Sequence, residues 1–162
     1  MRQAAGGLPI TLSVLDRLID TEPESSSEAA LSRAESLERL RAAVRRDLEW
    51  LLNSRRVAVE PDSALLEVSH SMYAIGLQDF TAFGLADAQE QARLLRHLQS
   101  TISQFEPRLT NVRITPQGDP VKTRQLRFRI EGALRVDPAP ERVSFDTVMQ
   151  LSSGEYVVKE SL

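Results

Sequence analysis

At Phe105-Glu106-Pro107-Arg108-Leu109 one periodicity ends and another begins. Upstream, Leu95, Leu98, Ile102 and Phe105 recur at helical spacing. Downstream, Val112 and Ile114 open a period-two alternation that runs almost to the C-terminus. Proline lacks an amide donor and disfavours helix at the residue before it, so Glu106 has to leave the helix ahead of Pro107. The chain must therefore turn from helix to strand at a stiff corner that holds an acid and an arginine.

The strand side of that corner is the plainest part of the sequence. Leu126, Phe128, Ile130, Leu134 and Val136 alternate with Arg127, Arg129, Glu131 and Arg135, the pattern of an antiparallel strand buried on one face. Val143, Phe145 and Met149 repeat it, and Ser152-Ser153-Gly154-Glu155 turns the chain into a last strand, Tyr156–Lys159. On the helix side, Asp87 with Glu90 caps a helix that runs to Phe105. An earlier helix opens at Ser32-Arg33-Ala34-Glu35, which has capping-box spacing, and carries the stripe Leu37, Leu40, Val44, Leu48, Leu51 and Leu52. Trp50, at the edge of that stripe, reads as a core anchor. A further short helix is expected around Ser63–Tyr73. The fold class is thus α+β: about four antiparallel strands with two main helices packed on one apolar face.

Residues 1–31 stand apart as a docking helix and flexible linker, ahead of a domain over 32–162. Leu12, Leu15, Leu18 and Ile19 share one helical face, and Thr21–Glu28 is acidic and serine-rich. A helix of two or three turns is marginal in water, so this tethered one has to dock, and the length of the linker favours a partner's groove.

At 162 residues the chain can bury roughly 70% of its unfolded surface as one domain. No apolar run approaches the ~18 residues of a membrane span, and no signal-peptide pattern directs export. There is no cysteine, which removes disulfides and thiolate chemistry and suits a reducing cytoplasm. A net charge of −3 gives no general attraction for nucleic acid.

Catalysis is hard to build from these residues. His70 and His97 are the only histidines, and neither has a second metal ligand at ligating spacing. Walker, dinucleotide and nucleophile-elbow motifs are missing, and Gly6-Gly7 is no phosphate cradle. Glu106 with Asp79 or Asp119 is the one carboxylate pair that a glycosidase would use. Arg108, two residues from Glu106, would hold that carboxyl ionised and oppose a general-acid role. No cofactor is called for.

Four elements in order resemble a known family. They are Leu15-Asp16-Arg17-Leu18; Asp47-Leu48-Glu49-Trp50-Leu51-Leu52-Asn53 with Arg55; Ser71 with Gly76-Leu77 and Asp79; and Glu106-Pro107-Arg108. The chain is similar to the baseplate wedge subunit of type VI secretion systems (TssE-like), related to phage baseplate proteins once mislabelled acidic lysozymes. It departs from the family pattern at Ala74-Ile75 and Gln78. The resemblance implies a non-enzymatic cytoplasmic part, present in multiple copies, that joins a bundle of other wedge proteins to the first layer of a contractile sheath. It places Glu106, Pro107 and Arg108 at the contact with that bundle. Leu12, Leu15, Asp16, Arg17 and Leu18 are the second expected contact, and neither nucleic acid nor membrane is an expected partner. An open edge of the one-sided sheet is expected to exchange strands with the sheath. A peptidoglycan hydrolase is the alternative. For Glu106 and Arg108, a contact with a partner is favoured over a brace within the fold, because a surface pair inside one chain is worth no more than ~1 kcal/mol.

Overall fold

A computed structural model describes residues 10–19, 31–59, 61–62, 64–78, 87–118 and 123–161. The linker Thr21–Glu28, Gly6-Gly7, Gly84, Asp79 and Asp119 lie outside the described residues. The chain forms two compact units, Met1–Val44 and Arg45–Leu162.

In the first unit, α1 spans Val14–Leu18, started by Ser13, whose Oγ accepts from the Asp16 amide at 3.1 Å. None of its residues is buried, and Val14, Leu15, Leu18 and Ile19 are all exposed. Ahead of it, the Ile10 amide donates to Ser36 Oγ at 3.0 Å. Helix α2, Arg33–Asn53, opens with the expected capping box. Ser32 Oγ accepts from the Glu35 amide at 3.2 Å, and Glu35 Oε2 accepts from the Ser32 amide at 2.8 Å. These reciprocal bonds satisfy amides that a helix start otherwise leaves bare, and they hold the Glu35 carboxyl below its ordinary pKa.

The second unit contains the C-terminal part of α2, then α3 (Leu66–Ser69), a 3-10 turn (Met72–Ala74), α4 (Ala88–Phe105) and four strands. The strands are β1 Leu109–Gln117, β2 Gln125–Leu134, β3 Glu141–Gln150 and β4 Tyr156–Glu160, in spatial order β1-β2-β3-β4 and antiparallel throughout. One face is buried, by Leu126, Phe128, Ile130, Phe145, Met149, Tyr156 and Val158 among others. Phe128 and Tyr156 meet edge to face, with centroids 6.4 Å apart. Leu94, Leu95, Leu98 and Ile102 of α4, with Leu48, Leu51 and Leu52 of α2, supply the helical share of the core. The other face is polar. There Arg129 pairs with Asp146, its cross-strand neighbour, at 2.8 Å.

Three expectations change. Trp50 is not a core anchor. It is 56% exposed, with the Arg46 guanidinium 5.0 Å from its ring centroid. On a 100° helical wheel it stands well over a right angle from the Leu48/Leu51/Leu52 stripe. The expected helix at Ser63–Tyr73 breaks into α3 and the 3-10 turn, because Ser71 caps Tyr73 and starts the chain again. The third change concerns the sheet edge. β4 is an edge strand, but α2 side chains occupy its outer rim: Asn53 bonds both the amide and carbonyl of Tyr156, and Glu49 accepts from the Val158 amide. An open edge is therefore not found there.

Gly76 explains a sequence pattern whose purpose the sequence alone leaves open. Its φ of +96° suits glycine, and a Cβ at this position would lie 2.5 Å from the Ser54 carbonyl oxygen. That close approach lets Leu77 donate to Ser54 O at 2.8 Å and accept from the Arg56 amide at 2.9 Å. The excursion between residues 56 and 77 is thereby closed at its base. It displays Val57, Val59, Leu65, Leu66 and Met72 to solvent.

Candidate functional site

The corner forms as Pro107 requires. Glu106 is the last residue to bond into α4, its amide donating to Ile102 O at 2.8 Å, and its φ of −117° and ψ of 79° already leave the helix. Its carbonyl then accepts from Leu109 N at 3.1 Å, making a one-turn reversal. Arg108 O accepts from Arg135 N at 2.9 Å, so the arginine is already in register with β2.

This backbone turns the two charged side chains toward each other. Glu106 Oε1 accepts from Arg108 Nε at 2.7 Å and from the Arg108 amide at 3.1 Å, and Oε2 accepts from Arg108 Nη2 in a short contact. The pairing is two-pronged, the geometry that suits arginine and that lysine cannot reproduce. Arg108 Nη2 also donates to Asp47 Oδ2 at 2.6 Å. Asp47 Oδ1 accepts from Arg46 Nε at 2.8 Å, and Arg46 lies over Trp50. One line of alternating charge thus runs Glu106, Arg108, Asp47, Arg46, and ends on an exposed indole. Hydrogen bonding to Glu106 raises the Arg108 pKa above its ordinary value, burial opposes that rise, and Asp47 adds to it.

The pair is not a surface pair. Glu106 is only 4% exposed. A carboxylate so far from water is stable only when its hydrogen bonds are made, and Arg108 makes them. Glu106 therefore has both oxygens committed to the Arg108 guanidinium. Among the described residues no cluster of histidine and acid side chains could hold a metal ion.

Of the residues expected to meet a partner, Glu106, Pro107 and Arg108 come together at this corner. Leu12, Leu15, Asp16, Arg17 and Leu18 belong to the first unit, where Leu12 is half-buried and Leu15 and Leu18 are exposed. Asp16 is engaged locally, accepting from Ser13 Oγ at 2.5 Å. Reasoning from sequence misses the role of Asp47 at the corner. It stands inside the quoted Asp47–Asn53 pattern, but nothing local links it to a residue 61 positions on.

Fold and site together define an α+β domain whose charged corner is braced from within. The family model for the baseplate wedge protein gp25 matches residues 38–139, more than half of the chain, and the chain belongs to that family. The match covers most of α2, the Gly76-Leu77 closure and the Glu106–Arg108 corner. Neither a curated protein nor a solved structure matches the chain. No described helix is long and apolar enough to cross a membrane.

Proposed function

We propose that this baseplate wedge protein serves in a type VI secretion apparatus, in the cytoplasm, joining the wedge core bundle to the first layer of the contractile sheath. Its role is structural, and its partners are the other wedge proteins and the sheath protein. Membership of the wedge family supports the coarse part of this reading. The four sequence elements that resemble the secretion-system subunit support the finer part.

The observation that carries the site assignment is the braced corner. Glu106 holds the Arg108 guanidinium in one orientation, and Asp47 fixes it from the other side. An arginine held in this way loses little side-chain entropy when it meets a partner, which is the physical advantage of a preorganised contact. Pro107 stiffens the backbone between the two charges. The exposed apolar face of α1, with Leu15 and Leu18, is the second proposed contact, with Leu12, Asp16 and Arg17 beside it.

Co-purification tests this reading. A tagged chain expressed in its native cells should recover wedge and sheath proteins together, and cells lacking it should fail to secrete. Recovery of neither, with secretion intact, would refute the secretion-system role. Peptidoglycan turnover by the purified chain would refute the structural one.

A further inference from the structure

The outer rim of β4 is occupied in a way that copies a neighbouring strand. Gln150 N donates to Glu155 O, and Ser161 N donates to Ser144 O, so residues 155 and 161 face β3. Antiparallel alternation then turns 157 and 159 inward too, and directs the backbone groups of Tyr156 and Val158 away from the sheet. Those are the groups that a fifth strand would bind. Of the outward-facing residues Tyr156, Val158 and Glu160, the four groups of the first two are already taken by α2. Asn53 Oδ1 accepts from Tyr156 N at 2.9 Å, and Asn53 Nδ2 donates to Tyr156 O at 2.8 Å. Glu49 Oε2 accepts from Val158 N at 3.0 Å, and Arg45 Nη1 donates to Val158 O at 3.4 Å.

The match has a simple metric basis. Four residues of helix advance about 6 Å and two residues of strand about 6.8 Å, so side chains at i, i+4 and i+8 keep step with alternate strand residues. Asn53 and Glu49 keep that step on Tyr156 and Val158, running antiparallel to β4, and Arg45 joins Glu49 on Val158. The opposite edge is protected differently. β1 carries a register shift between Thr110 and Arg113, with Asn111 at a φ of 55°, and Pro116 lacks an amide. Those devices belong to the strand itself. The protection of β4 is lent by another element.

We propose that Arg45, Glu49 and Asn53 act as a surrogate strand that closes β4 against pairing with the β4 of a second copy, keeping the chain a single unit until it is assembled. This goes beyond the proposed function and holds whatever the chain assembles with. A β4-to-β4 contact would be self-complementary about a two-fold axis and would form a closed dimer.

The test is the full chain carrying Glu49→Ala and Asn53→Ala, read by light scattering over a concentration series and by amide exchange. The Tyr156 and Val158 amides should exchange at least ten times faster, and the mass should double at high concentration while the parent chain stays monomeric. Adding Val158→Pro, which removes the outward amide without touching the ladder to β3, should restore the monomer. If the double variant does not fold, Glu49→Ala alone should free the Val158 amide, and Glu49→Gln, which keeps an acceptor, should hold it. A freed edge that stays monomeric at every concentration overturns the proposal. So does unchanged exchange, a dimer that survives Val158→Pro, or a parent chain that dimerises by itself.

Discussion

Replacing Arg108 by alanine removes every side-chain donor that the structure shows on Glu106 and leaves that carboxylate with one backbone amide. Breaking a buried ion pair by deleting one partner costs about 3–5 kcal/mol, because the remaining charge stays buried. The Arg108 side chain is 25% exposed and Asp47 24%, so water replaces part of the lost solvation, and about 2–4 kcal/mol is the fitting range. For a chain of this length each kcal/mol lowers Tm by about 2–4 °C. A fall of about 4–16 °C follows, measured by thermal and urea unfolding. The source of the loss can be isolated. Adding Glu106→Gln to Arg108→Ala takes away the stranded charge and should recover about half of the stability, a coupling of about 1–3 kcal/mol in a double-mutant cycle. Arg108→Lys, which keeps the charge but not the fork, should fall between. A Tm for Arg108→Ala within about 2 °C of the parent would refute the brace, and the corner would then serve a partner alone.

Two further outcomes are expected. Gly76→Ala combines a left-handed backbone with a clash against the Ser54 carbonyl, and should lower stability by more than about 2 kcal/mol in urea unfolding. His97 has a pKa lowered by burial and then by Arg56, so the folded state prefers it neutral. The unfolded chain binds the extra proton as pH falls through the ordinary imidazole value of 6.5, so stability is full above that pH and falls as pH drops beneath it. Melting between pH 7.5 and 5.5 should show this slope, and His97→Gln should flatten it.

Local signals carried much of the fold. Alternation in β2 and β3, the capping box at Ser32 and Glu35, and Pro107 at the end of α4 all depend on neighbours a few residues apart, which is the range in which periodicity and capping act. The site was legible only in part. Glu106 and Arg108 could be seen as a pair because two positions separate them. Asp47 could not, since its bond to Arg108 is made by folding rather than by spacing. For Trp50, size argues for burial while angular position argues against it, and the position decides. The strand edge looks open from sequence for a related reason. Polar side chains at Arg45, Glu49 and Asn53 look like a solvated helix face until the strand they bond is known.

The bonds from α2 to β4 join residues 103 to 113 positions apart. Contacts of such long range form only after the entropy of closing a large loop has been met, which places them late on the folding pathway. β4 is also the last strand of the sheet to leave the ribosome. Until it does, β3 is a bare margin in a nascent chain, and α2 has nothing to grip. The vulnerable species in the life of this molecule is therefore the incomplete one, whose own side chains cannot yet cover that margin.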